Sequence, residues 1–338
     1  LWITSFSRRG SKKTRRELEL VVSDWEPISL EKIRSYSLQD RASKVRRDDF
    51  GIPWKPGAAM GSWFAALPRI LAGNDFRAVV DRVFQAAQDR KMVLLAMGAH
   101  PIKVGLSPHI IDLMERGIVR GLALNGACVI HDTEVAMAGH TSEDVAARLG
   151  EGQFGMAEEP ALLINEAIRE GARLDMGLGE AVGARLSKEK LPHHALSLVA
   201  RAHDLGVPVS VHVAVGTDTI HFHPSADGAS LGKTSHRDFR LFAALVSELE
   251  GGVFINLGSA VILPEVFLKA LSLVRNLGHE IRQFTTVNMD FIRHYRPMTN
   301  VVSRPTLEGG EGYSLVGHHE IMFPLLAAAV IERLEGNW

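Results

Sequence analysis

The sequence predicts an α/β protein built on a doubly wound parallel sheet. Short, continuous apolar runs recur from Met92 onward, as strands covered on both faces require. Amphipathic stretches separate them, and strand–helix alternation of this kind closes into a parallel sheet with helices on both sides.

Strands are expected over 92–98, 120–127, 207–216, 252–259 and 281–290, and helices over 107–116, 141–149, 161–170, 194–204, 235–248 and 264–277. Several helices carry start signals: Ser107 before Pro108, Thr141 and Ser142 before Glu143 and Asp144, Ser235 before Asp238. Gly206 and Gly278 stand where C-caps are expected. A last apolar run, 321–331, is interrupted by Pro324. It falls short of the roughly 20 apolar residues that span a bilayer. It is expected as a helix buried centrally or in a subunit interface, because its apolar surface exceeds that of an ordinary surface helix.

The 338 residues carry a net charge of -1, which gives no global field toward nucleic acid or a membrane. The single cysteine, Cys128, excludes an internal disulfide framework and a cysteine-based zinc cluster, in keeping with a reducing, cytoplasmic compartment. No hydrophobic signal core opens the chain, which begins at Leu1 without methionine. Residues 1–50 lack apolar periodicity and include Arg8, Arg9, Lys12, Lys13, Arg15 and Arg16. They are expected as a basic, solvated arm, with an acidic or nucleic-acid partner as the alternative. Residues 51–338 are expected as one domain, since neither a repeat nor a linker divides them.

Ligands of open parallel sheets bind outside the carboxyl ends of the strands. The first expected strand is followed by Gly98, His100, Lys103 and Ser107, and the second by Asn125, Gly126, His131, Asp132 and Glu134. The third leads to Gly216, Thr217 and Asp218, the fourth to Gly258, Ser259 and Glu265, and the fifth to Asn288 and Asp290. Glycines there admit close approach of a ligand, and helix-opening amides favour a pyrophosphate; the same glycines also serve as tight-turn residues. Neither G-x-G-x-x-G nor G-x-x-x-x-G-K-[ST] is present. Asp132 and Glu134 are candidates for ribose ligands or acid/base groups, or for helix-capping carboxylates. Lys103 is a candidate amine nucleophile or phosphate partner, with an ordinary surface lysine as the other reading.

Fifteen histidines form a second signal. On an extended segment, His221 and His223 would face one side at a spacing able to bind a metal, although no H-E-x-x-H motif or cysteine pair supports zinc. His318 and His319 open the last apolar helix, where they could cap amides or contact a ligand. Each is also open to a hydrogen-bonded structural role. His193 and His194 are expected at a helix start.

From Met92 to the end, the order of these segments resembles the deoxyhypusine synthase family, NAD-dependent enzymes that move an aminobutyl group from spermidine to a protein lysine. The likeness is carried by the turn and helix 98–117, by the strand and turn 122–127 with Asp132 and Glu134, and by Val207-Pro208-Val209 leading to Thr217-Asp218. Two further pieces are 255–259 with the helix at 264–278, and Tyr313-Ser314-Leu315 followed by Phe323-Pro324-Leu325-Leu326. The resemblance implies a Rossmann-like, NAD-binding fold and a homotetramer with sites between subunits. It implies Ser107, Asn125, Gly126, Glu134, Asp218, Gly258 and Asp290 as NAD contacts, with Gly98, Thr217 and Ser259 beside them. The family's catalytic imine lysine precedes its final helix, yet 288–317 contains no lysine. The expected function is therefore NAD-dependent chemistry on a small amine- or hydroxyl-bearing molecule rather than deoxyhypusine synthesis. His221, His223, His318 or His319 would act as general base, with Asp132 as a further acid/base candidate. The alternatives are a metal-dependent hydrolase or lyase using His221, His223 and Asp218, and a non-catalytic nucleotide-binding protein.

Overall fold

The computed structural model describes residues 25–336, so the basic run Arg8–Arg16 lies outside the described residues. Contacts divide the chain between Val45 and Arg46. In the first unit, a short 3-10 turn at Leu38–Asp40 is capped by the Ser37 side chain.

The second unit holds six strands: β1 Val93–Met97, β2 Gly121–Asn125, β3 Val209–His212, β4 Val253–Leu257, β5 Thr285–Asp290 and β6 Glu311–Val316. They form one sheet in the order β3-β2-β1-β4-β5-β6, and every pair is parallel. All carboxyl ends therefore share one edge, and the order reverses between β1 and β4. Residues of β1 alternate between two cores. Val93, Leu95 and Met97 join Val79, Val83, Phe323 and Leu326, whereas Leu94 and Ala96 join Phe242, Val246, Leu263 and Phe267. This is the helix-on-both-faces architecture of a Rossmann-like fold, and each large side chain so buried contributes about 1.5–3 kcal/mol.

Several boundaries differ from expectation. The strand expected over 120–127 stops at Asn125, whose side chain accepts from the Cys128 amide and opens a helix, Gly126–Ala138. The strand expected over 207–216 keeps only Val209–His212. The helix expected from Ser235 starts at Gly228, because Asp227 caps the Ala229 and Ser230 amides. The helix expected over 141–149 is reduced to Val145–Leu149. The stretch 194–204 is a 3-10 turn at His194–Leu196 followed by the helix Leu198–Asp204, capped by Ser197. β6 was not expected at all. It lies at the sheet edge and is mostly half-exposed, so it has no continuous apolar run. The terminal helix His319–Leu334 continues through Pro324 and buries Phe323, Leu326, Ala327, Ala329 and Val330 while Ile321 stays exposed. Among the described residues, no helix is long and apolar enough to cross a membrane.

The outer edge of β3 is closed by a buried carboxylate. Asp238, on the helix Gly228–Val246, accepts from Gly179 N at 2.9 Å and Val211 N at 2.8 Å, both through Oδ2. Its Oδ1 has no hydrogen-bond partner among the described residues, and burial raises its pKa to about 7. A folded-state pKa above the unfolded value favours the protonated form, so this group's contribution is full at acid pH and declines as pH rises from about 4 to about 7. Asp238→Asn keeps an oxygen for both amides and removes the buried charge. We expect the variant to match the wild type in thermal midpoint near pH 4 and to exceed it above pH 7. A difference that does not change with pH would contradict this assignment.

Candidate functional site

Two clusters occupy the carboxyl edge of the sheet. The first lies where the strand order reverses. A Cβ added to Gly98 would meet the Gly258 carbonyl oxygen at 2.7 Å, so the ends of β1 and β4 approach more closely than a side chain permits. Gly258 has φ +68°, and a Cβ there would meet the His319 ring at 2.5 Å. Ser259 is buried, and its Oγ accepts from Leu263 N at 3.2 Å, fixing the start of the helix Ile262–Asn276. Asp290 ends β5; its Oδ1 accepts from Phe291 N at 2.8 Å and lies 3.8 Å from His319 Nε2. His319 Nε2 also lies 3.2 Å from the Met289 carbonyl, and its Nδ1 lies 2.9 Å from His100 Nδ1. Burial, with some help from His100, lowers the His319 pKa, although the Asp290 charge acts in the opposite direction.

The second cluster lies beyond β2 and β3, around a cavity of about 190 Å³ lined by Lys103, His131, Glu134, Thr217, Asp218 and neighbouring residues. Glu134 is on the helix Gly126–Ala138 rather than in a loop. Its Oε2 accepts from Thr141 Oγ1 and lies 3.3 Å from His131 Nδ1. Burial alone would raise the Glu134 pKa, but the bonds to His131 and Thr141 outweigh it and the net shift is downward.

Asp218 is buried in the loop after β3, against the first turn of that helix. A Cβ on Gly126 would lie 2.1 Å from Asp218 Oδ2, so glycine there is a steric requirement. Burial raises the Asp218 pKa, partly opposed by His221 and Thr217. His221 Nδ1 accepts from Gly216 N at 3.1 Å and from Asp218 N at 3.4 Å. Its ring proton is therefore on Nε2, 3.7 Å from Asp218 Oδ2. Both of those atoms are buried, and neither has a hydrogen-bond partner among the described residues.

Other expected residues are placed apart from these groups. His221 belongs to a 3-10 turn, Thr219–Phe222, so it and His223 do not share one side of an extended segment. His223 Nδ1 instead bonds Ser225 Oγ at 2.6 Å. Among the described residues no group of three His, Cys, Asp or Glu side chains is arranged to hold a metal ion. Asp132 is fully enclosed: its carboxylate accepts from Ser197 Oγ at 2.5 Å, Leu198 N at 2.6 Å and Val199 N at 3.1 Å. It thus caps the helix Leu198–Asp204, and burial raises its pKa to about 6 despite those bonds. His318 is largely exposed and stacks on Phe291, with ring centroids 6.0 Å apart. Ser107 is buried at the start of the helix Ser107–Glu115. Lys233 is inside the helix Gly228–Val246, and its Nζ donates to the Ala172 carbonyl at 2.5 Å. His131 stands after the second expected strand and Thr141 was expected only as a helix start; their grouping with Glu134 was not foreseen, and the i, i+3 spacing of His131 and Glu134 on a helix was the available signal.

No protein-family model and no curated protein matches the chain. Solved structures do. Unliganded AgrE aligns with a TM-score of 0.50 at 16% identity, over 79% of this chain and 34% of that one. AgrE in complex with ornithine and NAD+ gives 0.49 at 15% identity, over 80% and 35%. A protein designated a deoxyhypusine synthase from Entamoeba histolytica gives 0.47 at 11% identity, over 82% of this chain and 95% of its own. The chain spans about a third of the AgrE chain, and the likeness shows the fold. The protein is thus an all-parallel, Rossmann-like α/β chain, a fold it shares with AgrE.

Proposed function

We propose that the protein is an NAD-dependent enzyme acting on a small amine- or hydroxyl-bearing substrate at the carboxyl edge of its sheet. The observation that carries the reading is the unsatisfied pair Asp218 Oδ2 and His221 Nε2–H. A buried acceptor and a buried donor, 3.7 Å apart, are too distant to satisfy each other, yet a hydroxyl can accept from one and donate to the other. Glu134, ionised on the wall of the same cavity, adds a second acceptor, and Lys103 a cation for a phosphate. Acceptors for ribose hydroxyls beside a cation for phosphate fit a nucleotide. NAD supplies a hydride acceptor when bound; this chain's residues bind and orient it. Gly126 holds the Asp218 carboxylate in place, and His221 orients the hydroxyl that it binds.

The test is calorimetric titration with NAD+. Asp218→Asn replaces a charged acceptor, a change of about 1.5–3 kcal/mol, and should weaken binding by about 10- to 100-fold. Unchanged affinity would remove the pair from the site. A protein that binds NAD+ but reduces it with no amine or alcohol would be a non-catalytic nucleotide binder.

The same reading includes a cytoplasmic homotetramer with sites between subunits. Exposed apolar side chains at the carboxyl edge, Val215, Phe222, Phe291 and Ile292, are available for such contacts. Native mass spectrometry reports the assembly directly.

A further inference from the structure

We propose that His100 is the proton acceptor of this site, held in its basic tautomer by His319. The inference deepens the dinucleotide reading and rests on it. A carbonyl oxygen only accepts, so the contact of His319 Nε2 with the Met289 carbonyl at 3.2 Å places a proton on that nitrogen. His319 is 1% exposed, and its pKa is lowered mainly by burial, so it is neutral and its Nδ1 carries a lone pair. His100 Nδ1, 2.9 Å away, must then be the donor of that bond. The remaining nitrogen of His100, Nε2, therefore carries a lone pair, and it has no hydrogen bond among the described residues. His100 is half-buried just after β1, at the point where the strand order reverses.

In this arrangement His319 is a positioning residue. Free imidazole tautomers interconvert, whereas the chain from the Met289 carbonyl through His319 fixes the proton on His100 Nδ1. Gly258 leaves room for the His319 ring, since a Cβ there would meet it at 2.5 Å. The transfer balances simply. The O–H or N–H bond of a substrate hydroxyl or ammonium breaks, its proton joins His100 Nε2, and its electron pair stays on the substrate heteroatom. His100 becomes an imidazolium that still donates through Nδ1 to His319. The charged groups acting on His319 are Asp290 at the end of β5 and Glu320 on the terminal helix, and both favour its cation, against the effect of burial. Phe291, with its ring centroid 5.6 Å from that of His100, packs beside the imidazole.

The experiment needs no substrate. Long-range ¹H–¹⁵N correlation spectra of uniformly labelled protein, recorded in alkaline buffer, report the tautomer of each neutral histidine, with His100→Gln and His319→Gln supplying the assignments. The expected result is a δ-protonated His100 and an ε-protonated His319. His100 should shift toward the ε form when His319 is replaced by Gln. Diethyl pyrocarbonate, which acylates unprotonated ring nitrogens, should modify His100 and spare His319 in peptide maps. An ε-protonated His100, or a His100 tautomer indifferent to His319→Gln, overturns the proposal and leaves NAD+ binding untouched. Failure of NAD+ to bind a protein that shows the expected tautomers overturns the dinucleotide reading instead.

Discussion

Gly126→Ala should abolish or severely weaken NAD+ binding while leaving the protein folded. The added Cβ would sit 2.1 Å from Asp218 Oδ2, and the atom in the way is a buried carboxylate rather than the free end of a mobile side chain. Asp218 must swing away, which breaks the unsatisfied pair with His221. At the first position of a helix, alanine is otherwise the better residue by about 0.5–1 kcal/mol, so the substitution does not itself disfavour helix formation. Gly228→Ala is the control. It also opens a helix, and an added Cβ there meets nothing within 4 Å. We expect a loss of NAD+ affinity of about 100-fold or more for Gly126→Ala and none for Gly228→Ala, the first figure corresponding to about 3 kcal/mol. Equal affinities would show that Asp218 plays no part in binding.

Asp132→Ala should separate a structural carboxylate from a catalytic one. The substitution strips one hydroxyl and two backbone amides of their acceptor in a fully buried place. Each orphaned donor costs about 1–3 kcal/mol, offset by relief from burying a charge, so a net loss of about 2–4 kcal/mol in urea unfolding is expected. NAD+ affinity of the folded fraction should remain that of the wild type. An unaltered stability with lost turnover would instead make Asp132 an acid/base group. The pH dependence gives a second check. With its folded pKa raised to about 6, Asp132 contributes most below the unfolded value near 4 and progressively less as pH rises to about 6. The penalty of Asp132→Ala should therefore be larger at pH 4 than at pH 7.

The sheet was legible where fully buried parallel strands are largely continuous apolar runs, as in β1, β2 and β4, whereas β5 is buried throughout yet carries Thr285, Thr286, Asn288 and Asp290 around Val287 and Met289. β6 was missed for the same reason: an edge strand that is half-exposed carries Glu311, Gly312 and Ser314 without penalty. The helix Gly126–Ala138 escaped notice because its first residues continue the apolar run of β2, and only the Asn125 cap marks the change. That error also hid that Asp132 and Glu134 share one helix, on which they serve different neighbours. Asp218 and Gly126 could be picked from their positions after strands, and His319 from its place at the start of the last apolar helix. Their physical roles could not, since a 2.1 Å steric requirement and an unpaired nitrogen exist only between segments distant in sequence. His100 was visible beside Gly98 but had no partner until the last helix brought His319 to it.

The most direct measurement is native mass spectrometry of the full chain purified without added nucleotide and then supplied with NAD+. The account predicts one NAD+ per chain, retained by the wild type and lost by Gly126→Ala and Asp218→Asn. A wild-type chain that remains unliganded at saturating NAD+, or variants that retain it as well as the wild type, would contradict it.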